Sequence, residues 1–237
     1  MQILIPMAGN GQRFVDAGYK DPKPFIDVLG KPMIERVVEN LGGPSAGEYI
    51  FVVQAPTYRF NPIPRLRDLV PGCMIVTAKE PTAGAACTAL LAAEFIDSNE
   101  PLLIANSDQI IEGIVLPSPT FAPRGAIYTF EATNPKWSFA VVDGHGRVWG
   151  VVEKQVLGRR ATCGLYWWQR GSDFVRCARK MIERNLRVMN EFYLAPAYNE
   201  LLAEGHVVIE LPVQRMHGLG DPESLQEYIQ NERAKEA

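Results

Sequence analysis

Through the first 112 residues, short runs of β-branched and aliphatic side chains alternate with stretches of helical period. Segments 3–6, 49–53, 73–77 and 102–105 read as strands, and segments 33–41 and 84–96 as helices. The gaps between successive strands are long enough for crossover connections, which is how strands come to lie parallel. The pattern therefore predicts an α/β domain built on a mainly parallel sheet with right-handed crossovers and helices on both faces. Ligands on such sheets sit at the carboxyl ends of the strands, so the loops after Pro6, Val53, Thr77 and Ala105 are where a site belongs.

After residue 124 the pattern changes. Segments 125–131, 138–142 and 148–152 are strand-like, and Asp143-Gly144-His145-Gly146 has the composition of a hairpin turn between the last two. A strand over 162–168, helices over 174–185 and 196–204, a strand over 207–211 and a helix over 222–233 complete the reading. No Gly/Ser-rich linker divides the chain, so one domain is expected over residues 1–237, with a first half of 1–112 and a second of 113–237.

Charge and apolar patterning exclude several partners. With 24 basic and 27 acidic residues the net charge is −3, which provides no electrostatic footprint for a nucleic acid. The longest stretch without a charged side chain is 81–93, far short of the roughly 20 apolar residues of a membrane helix. The N-terminus has no basic region ahead of its first apolar run, and a cytoplasmic protein is expected. The four cysteines show no Cys-x-x-Cys spacing and read as reduced, mostly buried thiols.

Met7-Ala8-Gly9-Asn10-Gly11-Gln12-Arg13 follows the first strand. Two glycines one residue apart let the backbone approach a polyphosphate, and Arg13 adds a cationic fork; a structural tight turn has the same composition. Next, Asp21-Pro22-Lys23-Pro24 sets a lysine between two prolines, which predicts an extended, stiff presentation of the ammonium. Gly30-Lys31-Pro32-Met33-Ile34 then leads into a helix. Together these pieces resemble the signature of the sugar-phosphate nucleotidylyltransferases: a Gly-x-Gly-x-Arg loop, then Pro-Lys-Pro, then Gly-Lys-Pro-Met-Ile.

The resemblance extends over nearly the whole chain. Glu80-Pro81-Thr82-Ala83-Gly84 is similar to the family's turn around the nucleobase, with Pro81 where a glycine is usual, and Thr82 is equally suited to cap the following helix. Asn106-Ser107-Asp108-Gln109 matches the family's metal-binding aspartate, Glu153-Lys154 its acceptor-holding pair, and Gly164 the glycine of the strand beneath the acceptor. Near the C-terminus, Met216-His217-Gly218-Leu219-Gly220-Asp221-Pro222 aligns with a motif whose aspartate is a second metal ligand. On that register the aspartate is replaced by Gly218, so that His217 as substitute ligand or phosphate partner, a single metal, or a dead site are the alternatives, and Asp221 reads as a helix N-cap with Pro222 at the first helical position.

The resemblance implies a single-domain, Rossmann-like nucleotide-diphospho-sugar transferase fold, in which residues 1–112 bind nucleotide and 113–237 bind the acceptor. The implied reaction couples a nucleoside triphosphate to a phosphorylated small acceptor, foremost a sugar 1-phosphate for surface polysaccharide, and releases pyrophosphate. The implied roles are Arg13, Lys23 and Asp108 in catalysis; Ala8, Gly9, Gly11, Gln54, Thr82, Ala83 and Asn106 on the nucleotide; and Glu153, Lys154 and Gly164 on the acceptor. Asp108 and His217 are the implied ligands of Mg²⁺ or Mn²⁺, and a second copy of the chain is a candidate partner. Two other readings stay open: a cytidylyltransferase for a non-sugar phosphorylated metabolite, and a nucleotide-sugar-dependent glycosyltransferase, although the latter's Asp-x-Asp motif is absent. A catalytically silent binding module is a third, suggested by Gly218 alone.

Overall fold

A computed structural model describes residues 1–57, 60–117 and 123–236, the last without its side chain. The first half forms β1 (Gln2–Pro6), α1 (Gln12–Asp16), the two-residue strands β2 (Asp27–Val28) and β3 (Lys31–Pro32), and α2 (Met33–Asn40). It continues through β4 (Glu48–Gln54), α3 (Ile63–Leu69), β5 (Met74–Ala78), α4 (Ala85–Leu90), α5 (Ala93–Ile96), β6 (Leu102–Ala105) and β7 (Gln109–Glu112). The second half contributes β8 (Gly125–Glu131), β9 (Ser138–Val142), β10 (Val148–Glu153), β11 (Arg160–Trp168), α6 (Gly171–Glu183), α7 (Ala197–Ala203), β12 (Val208–Pro212), β13 (Arg215–Gly218) and α8 (Pro222–Glu236).

Among the described residues nine strands form one mixed sheet in the order β10-β9-β11-β6-β1-β4-β5, with β8 pairing β11 and β12. The block β6-β1-β4-β5 is parallel throughout, and β11 joins it antiparallel along β6. Strand β1 pairs outward to β4 in one direction and to β6 in the other, so the chain reverses its progress across the sheet between β1 and β6. In open parallel sheets that reversal opens a crevice at the carboxyl ends of the two strands.

The parallel strands are apolar on both faces because helices cover both. Leu4, Ile50, Val52, Leu102 and Ile104 face one core, shared with α4, α6 and α7, while the alternating Ile3, Ile5, Phe51, Val53 and Leu103 face the other, beneath α2 and α3. Burial of each such side chain contributes about 1.5–3 kcal/mol. Trp167 and Trp168 belong to these cores, Trp168 stacking on Tyr198 with ring centroids 4.1 Å apart. A third cluster, of Phe14, Val28, Met33, Leu219 and Leu225, fastens the C-terminal segment to the loops that follow β1.

Several expectations need correction. Lys23 is not extended: Lys23-Pro24-Phe25 makes one 3₁₀ turn, which Pro24 tolerates early in a helix, and the extended residues are Pro22 before it and Ile26 after it. The predicted helix over 84–96 is two helices, because i,i+3 bonds from Leu91 N to Thr88 O and from Ala92 N to Ala89 O tighten and end the first. Thr82 caps nothing; Gly84 stands at the cap position, and the Thr82 hydroxyl meets Thr88 Oγ1 at 2.5 Å. The Asp143–Gly146 turn does join β9 to β10 as an antiparallel hairpin, with a bulge near Trp149.

Candidate active site

The crevice between β1 and β6 opens into a cavity of about 630 Å³. Its upper wall is the loop after β1. Gly11 adopts φ +61°, and a Cβ there would lie 2.9 Å from Lys23 Cβ, so both backbone sign and space demand glycine. Gly9 is different: its φ is not left-handed, and a Cβ would meet nothing within 4 Å. Nothing in the fold requires Gly9, and the space before it is open.

On the floor, the segment joining β6 to β7 holds Asp108, whose carboxylate is paired with the Lys23 ammonium; both side chains are about four-fifths buried. A Cβ on Gly220 would lie 2.8 Å from Asp108 Oδ2, so the carboxylate is flanked by a position that carries no side chain. Gly164 lies where β11 changes register between its pairings with β8, at φ +76°, and its carbonyl accepts from Asn106 N at 2.9 Å. The ends of Asn106 and Gln109 fill the room a side chain there would need. Gln109 is nearly fully buried and lines the cavity, and its Nε2 has no hydrogen-bond partner.

The far wall comes from the second half. Glu153, at the end of β10, is 6% exposed and accepts a short hydrogen bond from Ser138 Oγ. Burial pushes its carboxyl above the usual range, opposed by that bond and by the Lys154 charge. The loop after α6 brings Glu191 and Tyr193 to the cavity. It is anchored where Phe192 N donates to Ala83 O (2.8 Å) and Ala86 N donates to Phe192 O (2.9 Å). That docking passes across Gly84, at φ +124°, where a Cβ would lie 2.5 Å from Phe192 N.

Of the residues singled out from sequence, the fold brings Ala8, Gly9, Gly11, Lys23, Thr82, Asn106, Asp108, Glu153 and Gly164 to this one cavity. Others stand behind or beside it. Gln54 Nε2 donates to Ala8 O (3.1 Å) and Asn10 Oδ1 (2.5 Å), tethering the glycine loop from outside, and Ala83 gives its carbonyl to Phe192. Lys154, at φ +55°, lies with Nζ 5.0 Å from the Tyr193 ring centroid and 3.4 Å from Met189 Sδ. Arg13 is exposed on α1 on the side of Asp221.

His217 is not brought to Asp108. Strand β13 pairs antiparallel with β7, and successive side chains alternate between faces. The side-chain position of Gly218 points at Trp137 in the cavity wall, so His217 points away, with Nε2 2.9 Å from Glu112 Oε1 and its ring 5.2 Å from that of Tyr228. The hydrogen bond to His217 holds the Glu112 carboxyl below its usual range. Asp221 does cap α8, accepting from Ser224 N at 2.9 Å. Burial raises its carboxyl, yet the Ser224 donors and the Lys136 and Arg13 charges bring it below the ordinary value.

Sequence reasoning missed Gln109, Glu191 and Tyr193 as cavity residues. Gln109 was adjacent to the singled-out aspartate, whereas Glu191 and Tyr193 lie in a loop whose position depends on the docking to Ala83.

The nucleotidyl transferase family model matches residues 3–227. A bifunctional sugar-1-phosphate nucleotidylyltransferase/acetyltransferase of Sulfurisphaera tokodaii is 27% identical over 217 residues, 88% of this chain and 49% of that protein. A probable mannose-1-phosphate guanylyltransferase 2 of Oryza sativa subsp. japonica is 27% identical over 181 residues, 70% of this chain and 49% of its own. The chain thus spans about half the length of these curated relatives. Among solved structures, a nucleoside-diphosphate-sugar pyrophosphorylase from Vibrio cholerae RC9 superposes with a TM-score of 0.85 at 23% identity, covering 96% of this chain and 99% of that one. A UDP-glucose pyrophosphorylase complexed with UDP-glucose gives a TM-score of 0.73 at 17% identity, over 99% and 98% of the two chains.

Proposed function

The chain belongs to the nucleotidyl transferase family, and from that premise we propose that it transfers a nucleotidyl group from a nucleoside triphosphate to a phosphorylated small molecule. An acceptor phosphate oxygen attacks the α-phosphorus, the bond from that phosphorus to the β-phosphate bridging oxygen breaks, and pyrophosphate leaves. The observation that carries this reading is the cavity itself: the side-chain-free loop at Gly9, the Lys23–Asp108 pair and the buried Glu153 all face it. We assign sugar 1-phosphates as the acceptor class, following the names of the relatives.

In such a transfer positioning and charge neutralisation lower the barrier, and no protein nucleophile is needed. The Gly9 and Gly11 backbone would receive the phosphates, with Arg13 supplying longer-range charge from the rim, and Lys23 would neutralise the α-phosphoryl oxygens. Asn106, Thr82 and Ala8 would meet the nucleotide, while Gln54 and Ala83 position the two loops that hold it. Glu153 and the Gly164 strand would receive the acceptor, and Lys154 lies beside that end of the cavity.

Asp108 would hold a divalent cation, Mg²⁺ or Mn²⁺. Among the described residues no group of three His, Cys, Asp or Glu could hold a metal. One carboxylate facing the cavity beside Lys23 nevertheless suits an ion that takes most of its ligands from phosphates and water. When bound, the cation supplies charge neutralisation of the triphosphate.

We place the reaction in the cytoplasm. Supporting this, all four cysteines are free thiols, and no helix among the described residues is long and apolar enough to cross a membrane. The test is pyrophosphate release with a panel of triphosphates and sugar phosphates. Release that requires both substrates supports the proposal; consumption of nucleotide sugars instead would identify a glycosyltransferase, and silence across the panel a binding module.

A further inference from the structure

Resting on that reading of the cavity, we infer that Lys136 is a phosphate-binding residue of the site, contributing positive charge where Gly218 leaves no carboxylate to hold a second cation. A triphosphate and an acceptor phosphate are strongly anionic, yet among the described residues the cavity lining carries only Lys23 and Lys136 as cations, against Asp108, Glu153 and Glu191. Lys23 is already paired with Asp108. Among the described residues Lys136 has no carboxylate within ion-pair distance, which makes it the uncompensated cation of the lining.

Its placement is built. The backbone N–H of Lys136 donates to Asn134 Oδ1 at 3.0 Å, fixing the turn that enters β9. The ammonium lies 4.8 Å from the Trp137 ring centroid, a cation–π distance that holds it at the cavity mouth. Trp137 in turn takes the space in front of Gly218: its Cη2 lies 3.5 Å from where a Cβ on Gly218 would be. Asp221 is near enough for the Lys136 charge to lower its carboxyl but makes no ion pair with it, so the ammonium keeps its donors for a ligand. Ring, glycine and lysine thus put an exposed organic cation beside the position where a carboxylate would recruit a metal ion.

The arrangement can be tested by reversal. Gly218 is not in the left-handed region and a Cβ there makes only ordinary contacts, so the backbone accepts Gly218→Asp, and its carboxylate needs only the Trp137 ring to shift aside. Calorimetry with magnesium pyrophosphate and magnesium tripolyphosphate should show Lys136→Ala weakening binding by about tenfold or more and Lys136→Arg by less than about threefold. Electron paramagnetic resonance of Mn²⁺ with tripolyphosphate should count one bound ion in the parent and two in Gly218→Asp. In the Gly218→Asp background, Lys136→Ala should then cost less than about threefold. Parent-like binding by Lys136→Ala, or two Mn²⁺ ions in the parent, overturns the inference while leaving the proposed transfer intact. Failure of the parent to bind either anion overturns both.

Discussion

Replacing Gly164 by alanine perturbs the one backbone position on which two cavity residues rest. At φ +76° an L-residue meets the left-handed penalty, about 1–2 kcal/mol. The added methyl would also overlap Gln109 Oε1 and Asn106 Nδ2 and lie 2.7 Å from Gln109 Nε2. Gln109 is nearly fully buried, so its carboxamide cannot swing into water, and crowding of this kind costs roughly 1–3 kcal/mol. The expected loss is roughly 2–4 kcal/mol, since part of the overlap relaxes at the Asn106 end. Urea unfolding of Gly164→Ala against the parent, at equal m-value, measures it directly. A folded fraction should remain, with a raised KM for triphosphate because the Asn106–Gln109 segment has moved. A midpoint shift worth less than about 0.5 kcal/mol, together with unchanged kinetics, would refute the reasoning.

Gly9→Ala should leave stability within about 0.5 kcal/mol of the parent, because its Cβ meets nothing, but should raise the KM for triphosphate; an unchanged KM removes the phosphates from this loop. Lys23→Ala should lower kcat by about a hundredfold or more, the usual cost of losing a charge stabiliser in a dry site, while circular dichroism stays native. Asp108→Asn should abolish Mn²⁺ binding in the presence of tripolyphosphate, and a bound-ion count equal to the parent's would exclude this carboxylate. Glu153 has its folded carboxyl pushed up from 4.5, so its contribution to stability is present below that pH and lost as pH rises through the higher folded value. Glu153→Gln should therefore match the parent near pH 4 and exceed it near pH 7.5 in denaturant midpoint, and a constant difference across this range would contradict the cause given.

The parallel half of the sheet was legible because strands buried on both faces appear as unbroken apolar runs, and β6 was read to the residue. Short elements were not. The pair β7–β13 shows no separate signal, since four-residue strands with half-exposed faces look like loop, and only their tertiary pairing stabilises them. The Gly84–Ile96 break was invisible for a related reason: alanine and leucine favour helix throughout, and local i,i+3 closure ends the first helix without a breaker residue. At the site, loops after strands announce Gly9 and Asp108, and the flanking prolines single out Lys23. His217 falls away from Asp108 because adjacency in sequence is not adjacency in space: neighbours on a strand face opposite ways. Lys154 stands beside the cavity, at a left-handed backbone position, with its ammonium over the Tyr193 ring.

The central claim is that the α-phosphoryl group moves from triphosphate to acceptor phosphate. Incubation of the protein with Mg²⁺, sugar 1-phosphates and triphosphates labelled at the α-phosphorus follows that group directly. The account predicts the label in a nucleoside-diphosphate conjugate, with one pyrophosphate released per conjugate formed and loss of both in Lys23→Ala. Label recovered only in nucleoside mono- or diphosphate, or triphosphate left unconsumed with every acceptor, would contradict it.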